Sequence, residues 1–181
     1  DTFHIYKYIT IYIMENLIQA TNENTKLFSL EGYSAFCKVV DIYDADTCKL
    51  VFFLPNNNTE IVKMSARLTG IDAPEIRPSK SSEYYEEEKK AAKIARNRFV
   101  QLATNCNIPD VKIQYKKKEI KKIISENTKL VYCIFDKFDK YGRVLVSLSD
   151  DKDSETYNNM LIDEGYGYEY FGGTKEEYNK S

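Results

Sequence analysis

The segment RLTGIDAPE, which begins at Arg67, holds one arginine, one aspartate and a glutamate that directly follows a proline. It is typical of a strand that ends in a turn, with Arg67 on the strand and Asp72 at its end. A regular strand would point these side chains to opposite faces, but a bulge or twist at Gly70 can turn both toward one site. The proline would then stiffen the turn and position Glu75. A surface salt bridge beside a proline turn is the alternative, and the segment alone leaves both interpretations open.

A second charged cluster, DADT, lies between two apolar stretches and contains Asp44, Asp46 and Thr47. Carboxylates at positions i and i+2 of an extended chain point to the same side. Oxygen ligands of this kind suit a hard cation. Aspartate is also common in polar turns, which is the alternative interpretation of this cluster.

A third cluster, DKYGR, places Lys140 and Arg143 around a tight turn, with Tyr141 available to stack or to form a hydrogen bond. The planar guanidinium of arginine is well shaped for bidentate contact with a phosphate. Taken alone, the cluster is more typical of an ordinary charged hairpin turn.

The three clusters together supply a complete set of groups for phosphodiester chemistry. They offer two or three carboxylates for a metal ion, one carboxylate for a base and two arginines for a phosphate. A metal ion and arginines can neutralise the charge that builds on a phosphorane-like transition state. The only histidine is His4, close to the start of the chain. A carboxylate must therefore activate the water, and Glu75 is the candidate.

The ordered set DxDT, RxxxxDxPE and DKYGR, followed by NNMLIDEGYG, resembles the staphylococcal nuclease (thermonuclease-like) family. The resemblance extends over about residues 35–173, most of the chain. It implies an OB-fold barrel with helices and calcium-dependent hydrolysis of phosphodiester bonds in DNA and/or RNA. The expected products carry a 3′-phosphate and a 5′-hydroxyl.

The resemblance also implies a role for each matching residue. Asp46 and Asp72 would be calcium ligands, the backbone carbonyl of Ala73 would be a third ligand, and Asp44 would lie nearby through a water molecule. Glu75 would be the general base, Arg67 and Arg143 would bind the scissile phosphate, and Lys140 and Tyr141 would hold the nucleotide. Ala73 stands where a threonine is usual in the best-known member of the family, with little expected effect because the ligand is a main-chain oxygen. The insertion over residues 106–129 is a second departure from the family pattern.

The elements that must position these residues are predicted from periodicity and turn signals. Five strands are expected, the first three as an antiparallel meander: residues 35–43, 47–54, 61–71, 129–136 and 143–149. Helices are expected over residues 81–104 and 154–165 and, as a short exposed helix, over the lysine-rich residues 116–127. The predicted fold is therefore α+β, mainly β: a five-stranded OB-fold barrel with two to three helices, similar to staphylococcal nuclease.

The sequence predicts two further details of the helices. In the helix over residues 81–104, Ala91, Ala95, Phe99 and Leu102 recur at helical spacing and indicate one buried stripe. Gly165 is placed to end the last helix. The domain organisation that follows is a loose leader over residues 1–32, partly non-native before Met14, a nuclease domain over residues 33–175 and a tail over residues 176–181.

Composition, net charge and cysteine content limit the classes of protein and of binding partner that fit this chain. The chain has 43% hydrophobic and 30% charged residues and a net charge of -2, which is ordinary for a globular domain and argues weakly against tight nonspecific binding to nucleic acid. The four cysteines form no CxxC pair, so a zinc site is not expected. A reducing, intracellular compartment is the simplest interpretation, and disulfides are the alternative because the number of cysteines is even. We expect a monomer that binds DNA and/or RNA, preferably single-stranded or unpaired, and that does not associate with a membrane. The competing interpretation is a family member that binds nucleic acid or protein and is catalytically weak.

Overall fold

The computed structural model describes residues 2–55, 57–106 and 110–172. Five strands form its centre: β1 Ser34–Asp44, β2 Thr47–Leu54, β3 Asn57–Leu68, β5 Leu130–Phe138 and β6 Val144–Ser149. They close into a barrel in the order β1-β2-β3-β6-β5. Two short strands, β4 Ile71–Asp72 and β7 Tyr168–Glu169, pair with each other outside the barrel.

The pairing of the strands confirms the predicted fold class. Strands β1, β2 and β3 form the antiparallel meander, and β5 pairs antiparallel with both β1 and β6. The barrel closes through a parallel contact between β3 and β6, in which Arg67 lies opposite Leu145. The result is a mixed five-stranded barrel with helices, an α+β architecture of the OB type. The closing contact brings the end of β3 beside the start of β6.

The barrel interior is filled by alternate residues along each strand, as a period of two requires. On β6, Val144, Val146 and Leu148 are buried, while Leu145 and Ser147 between them are partly exposed. Cys48 and Cys133 are also fully buried, and burial raises the pKa of both thiols. All four cysteines are free, so the buried ones act as small apolar side chains.

Four helices accompany the barrel in the part of the chain that is described. They are α1 Thr2–Ile18, α2 Tyr85–Ala103, α3 Lys117–Glu126 and α4 Tyr157–Asp163. Helices α2, α3 and α4 correspond to the three predicted helices. The count exceeds the expected two to three because α1 occupies part of the leader, which was expected to be loose. No helix among the described residues is both long and apolar enough to cross a membrane.

Helix α2 differs from its prediction at the start and on its buried face. It begins at Tyr85 rather than residue 81, since the residues before Tyr85 form turns and no side chain caps the first turn. The buried stripe contains Ala92 in place of the predicted Ala91, together with Ala95, Phe99 and Leu102. Successive intervals of three, four and three residues from Ala92 follow the helix period, so the stripe faces the barrel.

Helix α4 ends as predicted and directs the chain back toward β4. Gly165 has φ +76°, its amide donates to the Ile162 carbonyl at 2.9 Å, and the Tyr166 amide donates to the Leu161 carbonyl at 2.8 Å. This pair of hydrogen bonds is a Schellman motif. Two residues later, Gly167 lies so close to β4 that a Cβ atom there would come within 2.5 Å of Ile71 Cδ1.

We predict that Gly167→Ala destabilises the fold by crowding β4, the strand that carries Asp72. Overpacking of this kind typically costs about 1–3 kcal/mol of unfolding free energy. Gly165→Ala is the matched control, because a Cβ there meets nothing within 4 Å and the cost, about 1–2 kcal/mol, comes from the left-handed backbone alone. Urea unfolding measures both stabilities. The near-ultraviolet circular dichroism of the tyrosines around β4 should change only in Gly167→Ala, and an unchanged spectrum in that variant would contradict the crowding.

Candidate active site

A cavity of about 690 Å³ opens at the end of the barrel where β3, β4, the β5–β6 turn and the residues after β7 meet. Six of the residues that the sequence analysis singled out line it: Arg67, Asp72, Glu75, Lys140, Tyr141 and Arg143. Asp46 joins this group through a direct contact with Arg67, at 2.7 Å. Ala73 is buried immediately after Asp72. The three charged clusters, which are far apart in the sequence, therefore converge at one end of the barrel.

The turn at Gly70 brings Arg67 and Asp72 to the same side. Strand β3 ends at Leu68, and Gly70 has φ +76°, a backbone conformation that favours glycine. The chain reverses there and begins β4 at once, so Arg67 Nη2 reaches the Ile71 carbonyl at 3.3 Å and Asp72 Oδ1 at 2.6 Å. The prediction that Gly70 lets both side chains face one site is confirmed.

Asp46 approaches Arg67 because of the register between β2 and β3. Thr47 pairs with Arg67 across these strands, and the Leu68 amide donates to the Asp46 carbonyl at 2.8 Å. The Asp46 side chain therefore sits beside the arginine, with Oδ2 at 2.7 Å from Nη1. Its other oxygen, Oδ1, accepts a hydrogen bond from the Thr47 hydroxyl at 2.7 Å. The turn between β1 and β2 is thus tied to β3 by side chains as well as by backbone.

The carboxylates of Asp46 and Asp72 are 3% and 2% exposed and share the guanidinium of Arg67. Burial raises the pKa of Asp46 more than Arg67 and Thr47 lower it, and the nearby Asp72 adds to the rise. Tyr168 donates its hydroxyl to Asp72 Oδ2 at 3.0 Å, and burial together with Asp72 raises the pKa of that hydroxyl. When both carboxylates are ionised, the group of Asp46, Asp72 and Arg67 carries a net negative charge.

The donors available for a cation are oxygens. Among the described residues, no group of three or more histidine, cysteine, aspartate or glutamate side chains is arranged to hold a metal ion. Asp46 and Asp72 alone supply two converging carboxylates with excess negative charge, which fits a hard cation such as Ca²⁺ if main-chain carbonyls and water complete its shell. The Ala73 carbonyl is the predicted main-chain donor. Arg67 binds the same carboxylate oxygens and would compete with such an ion.

Asp44 contacts the segment that follows β4. Its Oδ1 accepts a hydrogen bond from the Ile76 amide at 3.2 Å. The preceding amide, that of Glu75, donates to Glu88 Oε1 on helix α2, also at 3.2 Å. Asp44 therefore holds the backbone beside the candidate base, a contact that differs in kind from the water-linked metal role that the family resemblance implies.

The turn between β5 and β6 holds Arg143 at the cavity. Asp139 Oδ2 accepts from Arg143 Nε at 2.7 Å, and Asp139 Oδ1 accepts from the amides of Tyr141 and Arg143 at 2.8 and 2.9 Å. The Arg143 guanidinium lies 5.4 Å from the centre of the Tyr141 ring, and Lys140 Nζ lies 5.1 Å from it. Tyr141 is 72% exposed, so one aromatic ring and two cations meet at the rim of the cavity.

Sequence reasoning missed several residues of this site. Glu88 belongs to an acidic run in the first turn of helix α2, yet it lies four residues before Ala92 and shares its buried face, a spacing that could have revealed it. Tyr168, Tyr170 and Phe171 were not selected either, although Tyr170 and Phe171 line the cavity and Tyr168 bonds Asp72. Their part depends on the pairing of β7 with β4, for which a two-residue strand carries no sequence signal.

No protein-family model and no curated protein sequence matches this chain. The interpretation of the cavity therefore depends on its own geometry and on the motifs that the sequence contains.

We predict that the unfolding free energy of Asp139→Asn falls less steeply than that of the wild type as the pH is lowered. Burial acts to raise the pKa of Asp139, but the hydrogen bonds from Arg143 and Tyr141 outweigh it and lower this pKa. The ionised carboxylate thus stabilises the fold above about pH 3.9, its unfolded value, and the contribution disappears as pH falls through the lower folded value. At pH 7 the variant should lose about 1–3 kcal/mol, the range for hydrogen bonds to a charged group.

Urea unfolding of the wild type, Asp139→Asn and the exposed control Asp153→Asn between pH 7 and pH 2.5 measures this effect. The stability of Asp139→Asn should converge on that of the wild type at the acid end, while Asp153→Asn should follow the wild type throughout. A stability difference that stays constant, or grows as pH falls, would contradict the assignment.

Proposed function

We propose that this chain is a calcium-dependent nuclease, similar to staphylococcal nuclease, that hydrolyses phosphodiester bonds of DNA and/or RNA to 3′-phosphate and 5′-hydroxyl ends. The observation that supports this most is the single cavity shared by two arginines and two carboxylates, Arg67, Arg143, Asp72 and Glu75. Phosphate binding, water activation and charge neutralisation need these groups within reach of one phosphorus atom. The barrel alone would support many functions.

In the proposed reaction, Arg67 and Arg143 bind the non-bridging oxygens of the phosphate, and Glu75 accepts a proton from the attacking water. The water oxygen bonds to phosphorus, the bond to the 5′ oxygen breaks, and this oxygen leaves as a hydroxyl after taking up a proton. Calcium held by Asp46, Asp72 and the Ala73 carbonyl would supply further stabilisation of the charge on phosphorus. Lys140 and Tyr141 at the rim contact the nucleotide, with the ring available to stack on a base.

A catalytically weak binding module is the second candidate. The contacts of Arg67 favour it, because Nη1 and Nη2 bond Asp46 and Asp72 and so hold the predicted metal ligands and one phosphate-binding group together. Two exposed aromatic side chains at the cavity, Tyr141 and Phe171, would bind unpaired bases without any chemistry. Both candidates would bind nucleic acid, so a measurement of substrate cleavage is needed to distinguish them.

We predict cleavage of single-stranded DNA and of RNA in the presence of calcium, and loss of cleavage in EGTA. The reason is that every candidate ligand is an oxygen, which suits Ca²⁺ and gives zinc no softer donor. Gel assays with end-labelled oligonucleotides, followed by chemical analysis of the ends, measure activity and products. Binding without cleavage would favour the second candidate. Cleavage that survives EGTA, or that zinc restores best, would contradict the calcium assignment.

We predict that Glu75→Gln and Arg67→Lys each lower kcat far more than they weaken substrate binding. Loss of a positioned base typically costs about 10²–10⁴-fold. Lysine keeps the charge of Arg67 and loses its planar fork, so a fall in kcat there would show that bidentate geometry matters. Asp72→Asn should instead weaken calcium binding, with part of the rate recovered at higher calcium concentration. A near-normal kcat for Glu75→Gln would remove Glu75 from the mechanism.

A further inference from the structure

Two consecutive amides of the segment after β4 are each bound by a carboxylate from a different element. The Glu75 amide donates to Glu88 Oε1 on helix α2, and the Ile76 amide donates to Asp44 Oδ1 at the end of β1, both at 3.2 Å. The segment itself contains no helix or strand between residues 73 and 84. Its conformation beside the cavity therefore depends on contacts with the rigid elements around it.

The Glu88 side chain is buried although it is charged. Glu88 is 8% exposed, whereas its neighbours Glu86 and Glu87 in the same helical turn face solvent. A buried carboxylate is costly unless it is hydrogen-bonded, so the contact with the Glu75 amide offsets that cost. The start of helix α2 also favours a negatively charged side chain at this position.

Helix α2 is a rigid support for this contact. It runs for 19 residues and packs a buried face against the barrel, with Ala92, Ala95 and Phe99 on the same side as Glu88. A side chain that extends from such a helix fixes the point it bonds more firmly than a loop residue does. Here Glu88 bonds the backbone nitrogen of Glu75, the candidate base.

We propose that Glu88 is a positioning residue for Glu75: it holds the Glu75 backbone so that the carboxylate faces the cavity in the orientation that proton transfer needs. Asp44 supports the same segment one residue further on. The inference goes beyond the proposed nuclease function and rests on it, because Glu88 acts only through Glu75. A displacement of about 1 Å in a catalytic group costs up to about 10²-fold in rate.

Kinetics of Glu88→Ala, Glu88→Gln and the control Glu87→Ala on a single-stranded DNA oligonucleotide with calcium test the proposal. Glu88→Ala should lower kcat by about 10- to 10²-fold with little change in KM, because the base moves while the phosphate contacts remain. Glu88→Gln keeps an oxygen acceptor of the same length and should recover most of the loss. Glu87→Ala, in the same turn of the helix, should behave as the wild type.

A double substitution separates positioning from a general structural effect. In the Glu75→Gln background, Glu88→Ala should change kcat by less than about twofold, since the group that it positions is already gone. A loss that multiplies that of Glu75→Gln would overturn the proposal. Urea unfolding checks each variant, and if Glu88→Ala fails to fold, Glu88→Asp replaces it in the cycle, because the shorter side chain withdraws the acceptor and keeps the charge.

The outcomes also distinguish this inference from the proposed function. A wild type without nuclease activity, or a Glu75→Gln variant with normal kcat, would overturn both. A large loss in Glu75→Gln together with unchanged kinetics in Glu88→Ala would overturn the positioning role alone. A large loss in both single variants with no further loss in the double variant supports it.

Discussion

The guanidinium of Arg67 organises the end of the barrel. It bonds Asp46 in the turn between β1 and β2, and the Ile71 carbonyl and Asp72 in β4, while its own backbone belongs to β3. Both carboxylates are almost completely buried, so each requires a cation to offset the loss of hydration. Leaving one buried charge of such a group without its partner typically costs about 3–5 kcal/mol. The position of three chain segments thus depends on one side chain.

This arrangement couples stability to the proposed chemistry. Burial acts to lower the pKa of Arg67, but Asp46 and Asp72 outweigh it and raise this pKa, so the guanidinium stays charged. In the proposed reaction the same guanidinium contacts a phosphate, which competes with the carboxylates for its N–H groups. When both carboxylates are ionised, a cation shared between them leaves the group one negative charge in excess, and that excess would favour a second, hard cation at this position. Stability and phosphate binding therefore make opposing demands on Arg67.

The parts of the fold that depend on neighbouring residues could be predicted from the sequence. Buried and exposed residues alternate along β5 and β6, Gly70 forms a turn, and Gly165 ends α4. Each of these local sequence patterns is typical of one backbone structure, so each could be predicted. Contacts between distant residues could not be predicted in this way. The hydrogen bond from Tyr168 to Asp72 joins residues 96 positions apart and depends on the short β4–β7 pair. Glu88 was missed because an acidic run at a helix start has an ordinary electrostatic explanation, and this explanation conceals the one member that is buried.

Some side chains at the site lie on or beside regular strands, and others lie on turns or irregular backbone. Arg67, Asp46 and Asp72 lie on or beside strands and are held by contacts of 2.6–2.7 Å; the two carboxylates are buried and the arginine is partly buried. Tyr141 and Phe171 lie on turns and irregular backbone and are 72% and 86% exposed. Proton transfer and charge stabilisation need fixed distances, whereas stacking on bases of varied sequence needs aromatic faces that adjust. Glu75 is the exception, because it is the proposed base and yet lies on irregular backbone. The carboxylates of Glu88 and Asp44 bond the backbone of that segment to α2 and to the end of β1, and these two contacts tie the irregular backbone to regular elements of the fold.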